Sequence, residues 1–246
     1  MAYSPGVSVQ TTAPVPPGPR SESWRAGSRA EHAAAESSAF VTDLVAGRAS
    51  AAGYLAYLRR LRVVYRALER ALDGCRNHSA VAAVDDRGLR RLAALDADLR
   101  HWSDDAPPGP APAARGAGDV GSPAAEAYRS RIEAARRAPH LLVAHHYTRY
   151  LGDLSGGQVL ARALRRGFPD RSFDGGGLDF YSFDQIAAPV PWKRAYRERL
   201  DGLRVDADQD AAMLAEVREA FRLNHALLDE VAAEPDARLP SGVPSG

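Results

Sequence analysis

Apolar residues recur along much of the chain at intervals of three and four, the period of an α-helix with one buried face. Tyr54, Leu58, Leu61, Tyr65, Leu68 and Leu72 form the clearest stripe, on a helix that Ser50 can cap and Gly74 can end. Leu89, Leu92, Leu95, Leu99 and Trp102 repeat the pattern. So do Met213, Leu214, Val217, Phe221, Asn224, Leu228 and Val231, a stripe with one polar member. Further helices are expected over 24–46, over 122–137 with Pro123 in the first turn, over 139–166 ended by Gly167, and over 192–203. No strand-like alternation competes. About seven helices in one domain imply an all-α fold, an irregular helical bundle packed ridge into groove.

Proline marks the boundaries. Of 17 prolines, five fall in residues 1–20, five between 107 and 123, and three after 234. Residues 1–22 and 235–246 therefore read as disordered tails, 23–234 as the domain, and 104–122 as a Pro/Gly-rich surface loop between helices. The chain has 246 residues, 45% of them apolar and 26% charged, which suits a soluble globular protein. Basic and acidic residues balance at 32 against 31. No bulk field then attracts nucleic acid or an anionic membrane. A single cysteine, Cys75, excludes an internal disulfide framework and any multi-Cys zinc or iron–sulfur site, and fits a reducing compartment. No apolar run reaches the roughly 20 residues of a membrane span, and the N-terminus lacks the pattern of a signal peptide. The expectation is a cytoplasmic protein without membrane or nucleic-acid partners.

One expected helix contradicts its own propensity. Leu151-Gly152-Asp153-Leu154-Ser155-Gly156-Gly157-Gln158 places three glycines in mid-helix, each costing about 0.8 to 1 kcal/mol relative to Ala. A kink or a close helix crossing accounts for one such glycine. Three around an Asp suggest backbone lying over a flat ligand with no Cβ in the way. Leu154 to Gln158 also spells the signature string of ABC ATPases, but no phosphate-cradling G-x-x-x-x-G-K-[ST] loop accompanies it. Gly156-Gly157-Gln158 matches the release-factor tripeptide, without an evident RNA-binding surface.

The longer string Tyr147-Thr148-Arg149-Tyr150-Leu151-Gly152-Asp153-Leu154-Ser155-Gly156-Gly157-Gln158 resembles the distal-helix motif of haem oxygenases. That resemblance implies a histidine near the N-terminus in an H-x-x-A-E context, and His32-Ala33-Ala34-Ala35-Glu36 supplies it. Tyr65, the stretch Lys193-Arg194-Ala195-Tyr196-Arg197-Glu198-Arg199, and Phe221 to Asn224 follow the family in order, so the likeness runs from about residue 24 to 231. The fold it implies sandwiches haem between an N-terminal proximal helix and a Gly-kinked distal helix.

On that resemblance His32 is the proximal iron ligand, with Glu36 able to accept a hydrogen bond from the other imidazole nitrogen. Gly152 and Gly156, with Ser155 between them, lie against the porphyrin, and Phe221 lines the pocket. Asp153 organises proton delivery, supported by Arg149, Tyr65 and Asn224. An Arg149–Asp153 surface pair and a Tyr65 that merely packs in its stripe stand as the alternatives. Arg25, Lys193, Arg197 and Tyr147 are the candidates to meet the haem propionates. Lys193 is the single lysine among the 32 basic residues, and at position 25 the family often has Lys, so Arg25 keeps charge but changes geometry. His145 and His146 read as helix-surface residues.

The activity implied is oxidative opening of haem b, substrate and cofactor together, by O2 and external electrons to biliverdin, ferrous iron and CO, serving haem turnover or iron acquisition. Electrons would come from a partner such as a ferredoxin, a flavodoxin or a reductase, meeting a monomer whose Arg197 and Arg199 flank the pocket. A haem carrier or sensor would use the same pocket without turnover. A thiaminase-like hydrolase or di-iron oxidase is disfavoured, since the sequence has no Glu-x-x-His pair and Cys75 stands in no catalytic context.

Overall fold

The stripe from Tyr54 to Leu72 becomes the buried face of the central helix, α4 (Ala51–Gly74), whose first turn is held by the Ser50 hydroxyl accepting from the Gly53 amide at 3.0 Å. All six stripe residues are fully buried, each such side chain stabilising the fold by about 1.5–3 kcal/mol. The computed structural model describes residues 18–103 and 121–239. Most of the expected 104–122 loop and the outer parts of both tails lie outside the described residues.

Around α4 pack α6 (Leu92–Ser103), α7 (Pro123–Ala135) and α11 (Ala207–Ala232). Pro123 opens α7 behind a Ser122 cap, and a reciprocal Asp206/Gln209 capping box starts α11. The remaining helices are α5 (Ser79–Val84), α8 (Leu142–His146), α9 (Gly152–Gly167) and α10 (Pro189–Asp201). Among the described residues there is no β-strand, only an isolated bridge between Ala49 and Arg238. Among them, too, no helix is long and apolar enough to cross a membrane.

Three expectations change. The helix anticipated over 24–46 is three short ones, α1 (Arg20–Gly27), α2 (Arg29–Glu36) and α3 (Ala39–Val45). Serines make the breaks: the Ser28 hydroxyl donates to the Trp24 carbonyl at 2.7 Å, and Ser38 caps α3. The turns let Trp24 and Phe40 bury in two different clusters.

Second, the tail expected from 235 onward is docked as far as 239. Ser50 N–H donates to the Ala237 carbonyl at 3.0 Å, Leu239 N–H to the Arg48 carbonyl at 2.9 Å, and Arg238 pairs with Asp43. Gly53 permits this approach, since a Cβ there would stand 2.5 Å from the Ala237 oxygen. At the other end the fold begins by Arg20, with Ser21 N–H bound to Asp201 at 2.7 Å.

Third, the run from Pro139 to Gly167 is helical but changes its hydrogen bonding. A 3-10 turn leads into α8, a π segment follows at Tyr147–Leu151, and α9 resumes α geometry. The irregularity of the distal helix thus falls one turn before the glycines, which are themselves helical.

Candidate functional site

α2 presents His32, whose side chain is 49% exposed. Its Nδ1 stands 3.3 Å from a Glu36 carboxylate oxygen one turn on, as the i, i+4 spacing expects. That contact leaves Nε2 as the nitrogen available to a metal. The Phe221 ring meets the imidazole edge-on at 5.3 Å. Phe221 lies on α11, and three residues further along the same face Asn224 accepts from the Arg149 guanidinium. One helix therefore ties the His32 side of the site to the glycine-rich helix.

Arg149 is the hub of the opposite wall. From within the π segment it donates to Asn224, to Asp153 at 3.1 Å and to the Tyr65 hydroxyl at 3.4 Å, and its guanidinium lies 5.3 Å from the Tyr65 ring centre. With side chains only 4% and 14% exposed, Arg149 and Asp153 are not a surface pair. Tyr65 packs and hydrogen-bonds together. Burial pushes the Asp153 carboxyl well above the usual carboxylate range.

Tyr57 belongs to this cluster and sequence reasoning missed it. It is buried within reach of Arg149 and Asp153, and burial raises its hydroxyl. A signal existed, because Tyr57 precedes Tyr65 by two i, i+4 steps and so shares its helix face. Tyr181, close enough to Asp153 to feel its charge and bonded to Tyr54 at 3.4 Å, comes from a 3-10 turn that no periodicity announced.

The glycines divide into two roles. Gly152 and Gly156 are exposed, and a Cβ at either would meet nothing within 4 Å. At Gly157 it would stand 2.9 Å from the Tyr181 ring, so this glycine is required by packing. Ser155, exposed between the open pair, accepts from Lys193 Nζ at 3.3 Å. Half-buried Tyr147 packs edge-on to Trp24 at 5.2 Å, and its hydroxyl is raised by burial against the opposing charges of Arg197 and Arg25. The expected rim cations thus converge on Tyr147 and Ser155 at the glycine-rich end of α9. Open glycine backbone, a free imidazole nitrogen and three cations fit a flat, anionic, iron-bearing molecule.

That division predicts opposite results at adjacent positions. Gly156→Leu should leave the fold intact or stabilise it by about 0.5–1 kcal/mol through helix propensity, while abolishing haem binding. Gly157→Leu should lower the melting temperature. Thermal melts and hemin titration of both variants check this, and a Gly156→Leu protein that binds haem normally would remove the open face from the site.

His145 and His146 are not on the surface. Both are fully buried, because α11, α4, α5 and α7 close over this part of the helix and Tyr196 of α10 stacks on His146. His145 Nε2 lies 2.8 Å from Glu216, and His146 Nδ1 lies 3.0 Å from the Tyr196 hydroxyl.

Known proteins resemble this chain in sequence and fold. The family model described as "Heme oxygenase" matches residues 19–230. A heme oxygenase of Pyropia yezoensis is 35% identical over 213 residues, covering 84% of this chain and 83% of that protein. Heme oxygenase 1 of Homo sapiens is 33% identical, covering 86% of this chain and 71% of the relative. The solved heme oxygenase of Leptospira interrogans superposes with a TM-score of 0.76 at 32% identity, over 86% of this chain and 98% of that one. Heme oxygenase-1 of Synechocystis sp. PCC6803, solved in complex with heme, gives 0.74 at 28%, over 86% and 91%.

Proposed function

The chain belongs to the haem oxygenase family, an oxidoreductase that degrades haem, and from that premise we propose how its own residues divide the work. The reading is that haem is opened to biliverdin, ferrous iron and CO with O2 and electrons from an external donor. The single observation that carries the site assignment is Arg149, buried and bonded at once to Asp153, Tyr65 and Asn224, beside glycine backbone open to a ligand.

Bound haem supplies the iron at which O2 is activated and the ring that is opened. His32 would bind the iron through Nε2, and Glu36 fixes the tautomer by accepting a hydrogen bond from Nδ1–H. Arg25, Lys193 and Arg197 hold the propionates and set the rotation of the ring. Gly152 and Gly156 allow close backbone approach, so bulk on the distal side stays low. Asp153 keeps a proton available next to the reacting face, and Arg149, held by Tyr65 and Asn224, positions it. Lys193, Arg194 and Arg197 share one side of α10, with Arg199 further round the helix, and these cations suit an acidic electron-donor protein such as a ferredoxin, a flavodoxin or a reductase domain.

Hemin added in equimolar amount, then ascorbate in air with catalase, tests the activity. The Soret band should decay into the broad red absorption of biliverdin. A Soret band that persists with ascorbate and with a protein donor would favour a haem carrier. His32→Ala should alter the ferric spectrum by removing the axial nitrogen; an unchanged spectrum would place the ligand elsewhere.

A further inference from the structure

Beyond the haem site, five aromatic side chains run in contact from the distal network to the surface. Tyr65 stands 5.6 Å from Tyr150, Tyr150 4.7 Å from His146, His146 5.5 Å from Tyr196, and Tyr196 5.3 Å from Trp192, ring centre to ring centre. The inner four are buried and Trp192 is half-buried, with Arg199 over its ring at 5.6 Å. We infer that Tyr196 and His146 form a proton-coupled redox pair, which carries stray oxidising equivalents from the distal pocket out to α10.

The argument rests on where a phenol proton can go. One-electron oxidation of tyrosine makes its hydroxyl a very strong acid, so a buried tyrosine yields an electron only if a neighbouring base takes the proton at the same time. Tyr150 and Tyr128 are buried with hydroxyls that have no hydrogen-bond partner. Tyr65 faces the Arg149 guanidinium, which has no lone pair to offer, and Tyr54 and Tyr181 face each other. Tyr196 alone among these has a nitrogen base beside its hydroxyl, His146 Nδ1 at 3.0 Å, with the two rings stacked 8° from parallel. With the imidazole proton on Nε2, facing Asp85, Nδ1 is free to accept from the phenol.

His146 is suited to accept. Burial, then the charges of Arg90 and Arg199, hold its imidazole down to about 3, so it is neutral in the resting protein. Its Nε2 has no hydrogen-bond partner, and the Asp85 carboxylate at 4.0 Å provides a counter-charge when the ring becomes imidazolium. An oxidised phenol is a far stronger acid than imidazolium, so the transfer runs downhill despite the depressed basicity.

The balance is as follows. Hydrogen peroxide at the haem takes up two electrons and two protons to give two waters. The protons come from solvent, one electron comes from the haem, and the other comes from Tyr196 by tunnelling across His146, Tyr150 and Tyr65, which are not themselves oxidised. Tyr196 loses that electron together with one proton, which moves to His146 Nδ1, leaving a neutral phenoxyl and an imidazolium. Two successive one-electron reductions by thiol or ascorbate at Trp192 restore Tyr196, to which the proton returns, and then the haem, and the two protons the reductants release replace those taken up by the peroxide.

The proposal rests on haem occupying the pocket, which the ferric absorption spectrum establishes before any peroxide is added. Haem-loaded protein is then mixed with hydrogen peroxide without reductant, freeze-quenched, and read by electron paramagnetic resonance. A tyrosyl radical is expected in the wild type and in Tyr128→Phe. It should be lost in Tyr196→Phe, and lost also in His146→Phe, which keeps an aromatic ring but no proton acceptor. Circular dichroism confirms that the variants are folded. An unchanged tyrosyl signal in Tyr196→Phe or His146→Phe would overturn the pair. So would the absence of any tyrosyl signal in haem-loaded wild type that consumes peroxide.

Discussion

Asp153→Ala is expected to bind haem and to open it about 10²- to 10⁴-fold more slowly, the usual worth of a positioned proton donor. Among the described residues, Asp153 is the carboxyl that meets Arg149, and its burial favours the protonated form. Alanine removes the proton source and also leaves the Arg149 guanidinium short of an acceptor in a buried position. Asp153→Asn separates the two effects, since an amide oxygen still accepts from Arg149 but releases no proton. Both variants should lose biliverdin formation in single-turnover assays with ascorbate while keeping the ferric Soret band. The raised carboxyl also fixes the sign of the pH dependence. The proton-bearing form is present below its raised value and disappears as pH rises through it, so wild-type ring opening should fall on the alkaline side. Residual activity in Asp153→Asn should lack that limb. Wild-type biliverdin yields in both variants would refute the assignment.

How far the sequence carried this site depends on the range of the forces involved. The buried faces of α4 and α11 are local patterns, readable from spacing because one helix face must be apolar whatever packs on it. The same spacing put Tyr65 on the stripe of α4 and Phe221 and Asn224 on that of α11, where the structure has them, and the i, i+4 rule gave both the Glu36 contact to His32 and the Arg149–Asp153 pair. What escaped depends on distant partners. His145 and His146 could be judged buried only by knowing that Glu216 and Tyr196, 71 and 50 residues away, come to meet them. The π segment at Tyr147–Leu151 has no propensity signature. Thr148, Arg149, Tyr150 and Leu151 are all buried, so tertiary contacts on every side set its wider turn, and one extra residue rotates the following helix by about 100°. The chain end escaped for a third reason: Pro235 and its neighbours look like a tail, and only the missing side chain of Gly53 lets Ala237 dock against α4.

The largest effect on stability should come from a residue outside the chemistry, Glu216. It is buried on α11 and accepts from His145 Nε2 at 2.8 Å and from Arg131 Nε at 2.8 Å, with Arg131 Nη2 as a further donor. Burial alone would raise its carboxyl; the hydrogen bonds from His145 and Arg131 outweigh it and hold the group at about 2 instead of 4.5. A depressed carboxyl contributes stability that is fully present above its unfolded value and disappears as pH falls toward its folded one. A shift of that size corresponds to about 3 kcal/mol. Glu216→Ala should therefore lower the melting temperature by about 10 °C at neutral pH. Glu216→Gln, which keeps the shape but not the charge, should be clearly less stable than wild type at pH 7 and should converge on it as the pH is lowered below 4. Denaturant titrations across that range read the gap directly, and a gap independent of pH would mean that packing, not the charge, is what Glu216 supplies. About one and a half and two turns along α11 from Glu216 stand Phe221 and Asn224, the residues that meet His32 and Arg149. Fixing α11 against α7 and α8 at the Glu216 cluster is therefore a condition for holding the two walls of the haem site in register.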